Sequence, residues 1–202
     1  MYSPFESFNS SPPRSQHNQH THNHQHAQQP HHNHNVQHYT QQPQATTIQH
    51  TEYFPLNGIV KITDGKGKEA TIFVGDQTSA TNKNIVDQLN IKYIINLAYP
   101  HVKYNHDGIK QMNINIDDHP SSNIRQHFQQ TRNFIDNGVD NGNNVLIHCA
   151  AGISRSATIA IDYLMHKLKM PYDNAFQLVK NRRNIINPND GFKQQLRGHV
   201  TQ

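Results

Sequence analysis

Val145-Leu146-Ile147-His148-Cys149-Ala150-Ala151-Gly152-Ile153-Ser154-Arg155-Ser156 is the stretch on which the reading of this chain turns. The aliphatic run 145–147 reads as a buried strand, and from Ser156 to Leu168 the apolar residues fall at helical spacing, so the residues between form a strand-to-helix turn. Such a turn gathers backbone N–H groups at a helix N-terminus, where unpaired amides and the helix dipole favour an oxyanion. The same field favours a thiolate, the form of cysteine that attacks. Cys149 is the only cysteine of the chain. Arg155 adds a permanently charged planar fork able to hold two oxygens of one phosphate. The plain alternative is that Cys149 is an ordinary core cysteine. That reading leaves Gly152 and Arg155 without a reason, and a His-Cys pair followed by Gly, Arg and Ser at these offsets is expected by chance in on the order of one chain in 10⁵.

Cleaving a phosphate ester also requires a proton for the departing oxygen, usually from a carboxylic acid on a facing loop. Ile114-Asn115-Ile116-Asp117-Asp118-His119-Pro120 offers two candidates at what reads as a strand end. Alternation places Met112, Ile114 and Ile116 on one side, and Asp118 comes next in that register if the strand geometry persists. Asp117 stays open as the acid, and so does a turn-forming role for the pair before Pro120.

The residues 148–156 match the signature HCxxGxxRS, and the chain resembles the protein tyrosine phosphatase superfamily. The longer string Ala151-Gly152-Ile153-Ser154-Arg155-Ser156-Ala157-Thr158 resembles the dual-specificity subgroup, particularly the catalytic domains of MAP kinase phosphatases. Similar segments are Ile72-Phe73-Val74-Gly75, Ile94-Ile95-Asn96-Leu97 and Phe134-Ile135-Asp136 upstream. Downstream are Tyr163-Leu164-Met165, Ala175-Phe176, and Asn187-Pro188-Asn189-Asp190-Gly191-Phe192 before Gln195-Leu196.

The resemblance implies that Cys149 is the nucleophile and Asp118 the general acid and base. Arg155 and the amides of Ala150, Ala151, Gly152, Ile153, Ser154 and Arg155 then bind phosphate oxygens, and a cysteinyl-phosphate is hydrolysed by water in a second step. It also implies that the Ser156 hydroxyl supports the cysteine sulfur as it departs; helix capping is the competing role for a serine here. His148 is expected to hydrogen-bond the backbone beside Cys149 and tune the thiol. Asn189 is expected either to tie adjacent loops together by its amide or to cap a helix after Pro188. No cofactor and no metal are expected, since the thiolate replaces a metal-activated water.

Composition divides the 202 residues. Residues 1–50 hold ten of the seventeen histidines and ten glutamines, with Glu6 and Arg14 as the only fixed charges. Such a segment cannot bury enough apolar surface to offset its ordering entropy, so a disordered low-complexity tail is expected there. Its alternation His20, His22, His24, His26, followed by His31, His32 and His34, could chelate zinc, copper or nickel, or respond to pH, as an accessory to catalysis. The catalytic domain is expected over 54–199.

The net charge of +4 falls in residues 51–202. It suits anionic phosphoprotein substrates, while the scatter of basic residues argues against nucleic acid as a partner. Lys180, Arg182 and Arg183 form the tightest basic group, expected on the solvated face of a helix ending near Asn184. The N-terminal residues carry no secretory pattern, no lipid-anchor signal and no membrane-length apolar run, and a single cysteine fits a reducing compartment. The expected location is therefore the cytoplasm, with nuclear entry left open. Nothing in the residues speaks to oligomeric state.

Strand-like segments lie near 58–62, 71–75, 92–97, 110–116 and 144–148. Helical ones lie near 82–90, 123–140, 155–169, 172–184 and 190–199, with Ile124, Phe128, Ile135 and Val139 on one face of the second and Gly142 closing it. The expectation is an α/β fold with a central mixed sheet flanked by helices. The function expected is hydrolysis of phosphotyrosine and phosphoserine or phosphothreonine in proteins. The alternatives are an RNA 5′-phosphatase or phosphoinositide phosphatase with the same chemistry, or a phosphoprotein-binding module without turnover. Alanines where lipid phosphatases of this superfamily tend to carry loop lysines argue against the lipid substrate.

Overall fold

The computed structural model describes residues 56–63, 66–98, 104 and 107–198. The histidine-rich segment 1–50 and its expected disorder and metal affinity lie outside the described residues. Among the described residues five strands form one sheet: β1 (Leu56–Thr63), β2 (Glu69–Gly75), β3 (Ile91–Asn96), β4 (Lys110–Asn113) and β5 (Asn144–His148). The order is β1-β2-β5-β3-β4, with β1 antiparallel to β2 and the remaining pairs parallel. The sheet is therefore mixed, with β5 at its centre.

Among the described residues six α-helices accompany it: α1 (Gln77–Thr81), α2 (Lys83–Gln88), α3 (Phe128–Val139), α4 (Arg155–Lys167), α5 (Tyr172–Arg182) and α6 (Asp190–Arg197). The central strands are apolar without a polar stripe because both faces are covered, as parallel strands require. Val145 and Ile147 of β5, Ile72 and Val74 of β2, and Tyr93 and Ile95 of β3 share a core with Phe128, Ile135, Ile159, Tyr163, Val179 and Phe192 from α3 to α6. The alternate residues Leu146, Phe73 and Ile94 pack with Ala80 and Val86 of α1 and α2 on the other face. Period-2 side-chain geometry thus splits one strand run between two cores.

Local differences from the sequence reading have local causes. The helix expected at 82–90 is the shorter α2, and a short helix that the sequence reading does not anticipate, α1, precedes it; Asn82 closes α1, and its side chain accepts from the Ile85 N–H to start α2. The segment 123–140 opens as a tight 3₁₀ turn, Arg125–His127, and α3 begins only at Phe128; Ile124, expected on its apolar face, precedes the helix yet is fully buried. Strand β4 stops at Asn113, after which Ile114 donates its N–H to the Asn96 carbonyl at 2.8 Å. Ile114 and Ile116 remain buried, so the alternation outlives the ladder. Gly142 closes α3 with φ of 71°, its N–H on the Val139 carbonyl.

Helices α3 and α4 are joined through a buried ion pair in which Arg132 Nε donates to Asp162 Oδ2 at 2.8 Å. Burial pushes the Asp162 carboxyl up, and Arg132 acts in the opposite direction. Among the described residues no helix is long and apolar enough to cross a membrane.

Candidate active site

Strand β5 delivers Cys149 to the centre of the sheet's C-terminal edge, and α4 begins six residues later at Arg155. Cys149 is 1% exposed. Its sulfur accepts the Gly152 N–H at 3.2 Å and lies 3.3 Å from Ser156 Oγ. Gly152 has φ of 67°, and a Cβ there would stand 2.6 Å from the Gly75 carbonyl oxygen and 2.6 Å from Arg183. Both the turn and the tight approach of β2 therefore require glycine.

Ser156 lies inside the first turn of α4, and the residue preceding that helix is Ser154. Helix capping is thus not the role of Ser156. Ser154 does not cap α4 with its side chain either; its hydroxyl donates to Asp118 Oδ1 at 2.6 Å and accepts the Asn189 N–H at 3.1 Å.

The Arg155 side chain is largely buried. Its Nη1 donates to the carbonyls of Leu97 at 2.7 Å and Ile116 at 3.2 Å. Its Nε lies 3.7 Å from Asp118 Oδ2 and is buried without a hydrogen-bond partner. An orphaned buried donor of this kind costs about 1–3 kcal/mol unless something supplies an acceptor.

Of the two candidate acids, Asp118 joins this cluster: Oδ1 accepts from Ser154 and from Asn189 Nδ2 at 2.9 Å, and its side chain keeps 33% exposure. Asp117 is exposed on the same loop. Asn189 performs both tasks that the sequence left open, since its Oδ1 also caps α6 by accepting the Phe192 N–H at 3.0 Å. Helix α6 braces the rest of that loop as well. Gln195 donates to the Ser122 carbonyl and accepts the Arg125 N–H, and Gly191 comes so close that a Cβ would meet the Pro120 oxygen at 1.8 Å.

His148 is fully buried, and its Nδ1 lies 3.3 Å from the Cys149 carbonyl, with Tyr104 Oη against Nε2. A carbonyl can only accept, so the proton belongs on Nδ1 and the Tyr104 hydroxyl donates to Nε2. Burial pushes the imidazole down to about 4, the Arg155 charge adding to that effect and the Cys149 carbonyl and Asp76 opposing it. Burial likewise pushes the Tyr104 phenol up.

The expectation for the basic group at the end of α5 needs correction. Arg182 is exposed, but Lys180 donates to the Ile186 carbonyl at 2.7 Å and Arg183 is 2% exposed. Arg183 reaches the back of the cysteine loop: Nε donates to the Gly152 carbonyl at 2.8 Å, Nη2 to Ala151 at 3.4 Å, and Nη1 to Asn57 Oδ1 of β1 at 2.8 Å. Its partners lie some thirty residues upstream or more, and helical periodicity carries no signal for them. Asn57 also walls a groove of about 590 Å³ between β1 and α2, which does not include Cys149.

A fold of this order, carrying a cysteine whose sulfur receives a loop N–H and an arginine beside a carboxylate, defines a class of protein. Residues 72–202 match the model for the dual specificity phosphatase catalytic domain. The chain belongs to the dual specificity phosphatase family. It is 37% identical over 127 residues to dual specificity protein phosphatase 6 of Homo sapiens, covering 62% of this chain and 33% of that protein. Against dual specificity protein phosphatase 1 of Mus musculus the figures are 37% over 125 residues, 62% and 34%. The chain thus spans about a third of the length of these two relatives. Among solved structures, it is similar to the human tyrosine phosphatase-like serine/threonine/tyrosine-interacting protein, with a TM-score of 0.62, 33% identity, and coverage of 71% of this chain and 93% of that one.

Proposed function

We propose that this chain hydrolyses phosphotyrosine and phosphoserine or phosphothreonine in proteins through a cysteinyl-phosphate intermediate. The observation that carries this reading is a thiol receiving the Gly152 N–H at 3.2 Å beside an arginine whose Nε is buried with nothing to donate to. A phosphate oxygen is the acceptor that this arrangement lacks. The family match supports the same chemistry.

In the first step the Cys149 thiolate forms the S–P bond as the P–O bond to the leaving group breaks, and Asp118 gives its proton to the departing oxygen. Ser154 and Asn189 both act on Oδ1, so Oδ2 is the oxygen assigned to carry that proton. Arg155 and the loop amides hold the three equatorial oxygens, stabilising charge with donors already in place. In the second step water attacks phosphorus, Asp118 takes the water's proton, and the S–P bond breaks to return the thiolate. Ser156 Oγ is in reach to donate to that sulfur.

The test is phosphate release from a peptide carrying both phosphothreonine and phosphotyrosine, at pH 6 without metal, comparing the native protein with Cys149→Ser. Release of both phosphates by the native protein and neither by the variant supports the reading. Release of neither by folded, reduced protein overturns it and directs attention to RNA 5′ ends, phosphoinositides or binding without turnover.

A further inference from the structure

We infer that Arg183 is a positioning residue that sets the shape of the phosphate loop from behind, an inference resting on the phosphatase reading of that loop. Four consecutive carbonyls, those of Ala150, Ala151, Gly152 and Ile153, are each held from outside the loop. Gln77 N–H donates to Ala150 at 3.2 Å and Asn187 N–H to Ile153 at 2.9 Å. Arg183 holds the middle two, Gly152 through Nε at 2.8 Å and Ala151 through Nη2 at 3.4 Å.

A trans peptide is planar, so the carbonyl of one residue and the N–H of the next point in opposite directions. Fixing carbonyls 150 to 153 outward therefore turns the N–H groups of Ala151, Gly152, Ile153 and Ser154 inward. One of these is seen doing so: the peptide whose Ala151 carbonyl meets Arg183 presents its Gly152 N–H to Cys149 Sγ at 3.2 Å. The outer two carbonyls are held by backbone donors, which any sequence could supply. The inner two are held by one side chain, and only a planar fork with donors on several edges reaches two adjacent carbonyls together. Nη1 on Asn57 fixes the orientation of the fork by tying it to β1. Because Gly152 is free of a Cβ, the guanidinium can lie directly against the turn.

The test compares native protein with Arg183→Lys, which keeps the charge but not the fork, and Arg183→Met, which keeps the bulk and no donor. The readouts are the Kd for inorganic phosphate, measured by titration calorimetry, and kcat and KM for 4-nitrophenyl phosphate, with thermal melting as the check on folding. The proposal expects both variants to bind phosphate at least about tenfold more weakly and to lose about a hundredfold in kcat/KM, since displaced loop donors cost on that order. A purely structural role would lower Tm and leave phosphate affinity of the folded fraction unchanged. Arg183→Lys binding phosphate as tightly as native protein, with unaltered kcat/KM, overturns the role. If neither Arg183 variant folds, Asn57→Ala carries the test. A phosphate Kd raised about threefold supports the proposal, and an unchanged one overturns it. Native protein that binds no phosphate at all overturns the reading of the loop and this inference together, a result distinct from a failure of Arg183 alone.

Discussion

Asn189 Nδ2 donates to Asp118 Oδ1 at 2.9 Å, across 71 residues of chain, while the other end of the same amide caps α6. One side chain thus couples the acid to the helix that braces its loop, and the two tasks separate by substitution. Aspartate caps a helix about as well as asparagine does, but it brings a negative charge against Asp118 where a donor stood. Asn189→Asp is expected to keep Tm within a few degrees of native and lose about tenfold or more in kcat. Asn189→Ala is expected to lose both, with about 1 kcal/mol of stability gone with the cap. Thermal melts and steady-state kinetics on the pair check this.

Gly152→Ala is expected to be severe. The new Cβ would meet the Gly75 carbonyl at 2.6 Å in a backbone conformation with φ of 67°. Moving the turn displaces the N–H that reaches Cys149, so activity is expected to fall at least a hundredfold, with about 1–3 kcal/mol of destabilisation. Turnover of 4-nitrophenyl phosphate and urea unfolding measure the two losses separately.

Ser156→Ala removes the hydroxyl 3.3 Å from Cys149 Sγ. On the proposed mechanism that hydroxyl assists the departing sulfur, so the second step is expected to slow more than the first. Rapid mixing with 4-nitrophenyl phosphate at pH 6 is expected to give a burst of nitrophenol approaching one per protein, followed by a slow steady rate. Equal slowing of the burst and the steady rate would place Ser156 in forming the intermediate instead.

His148 ties stability to pH. Its ordinary value is 6.5 and its folded value about 4, so as pH falls the unfolded chain takes up the proton first. The stability held by the neutral imidazole is complete above about pH 6.5 and is lost progressively as pH falls towards 4, reaching about 3 kcal/mol. His148→Gln, which does not titrate, is expected to lose less stability between pH 7.5 and 4.5, by about 2–3 kcal/mol in urea unfolding. The other histidines are present in both proteins, and the difference isolates this one.

The legible parts of this chain were those whose cause is local. The strand before Cys149, the turn with Gly152 and Arg155, and the start of α4 all lie within fourteen residues of each other, and each leaves its mark in composition or spacing. The mixed sheet followed from apolar runs interspersed with helical periods. Asp118 was harder to read, because the strand it was counted along ends at Asn113 and alternation alone left Asp117 available. What separates them is contact with Ser154 and Asn189, which spacing does not report. Arg183 and Tyr104 were illegible for the same reason. Each acts on a partner more than thirty residues away, through a loop carbonyl or a buried imidazole, and a basic residue at the end of a helix looks alike in sequence whether it faces water or a peptide group.

The carbonyls behind the cysteine loop are gripped in part by residues that follow it in the chain, Arg183 and Asn187, while Asn189 sets the carboxylate in front. During synthesis the loop therefore leaves the ribosome before the residues that mould it. A nascent chain that has reached α4 holds Cys149 and Arg155 but, of the four contacts on the loop's carbonyls, only the one from Gln77 to Ala150. On the proposed mechanism, catalytic competence waits until residues 183–189 have emerged, and a chain cut short after α4 would carry the whole signature without the means to use it.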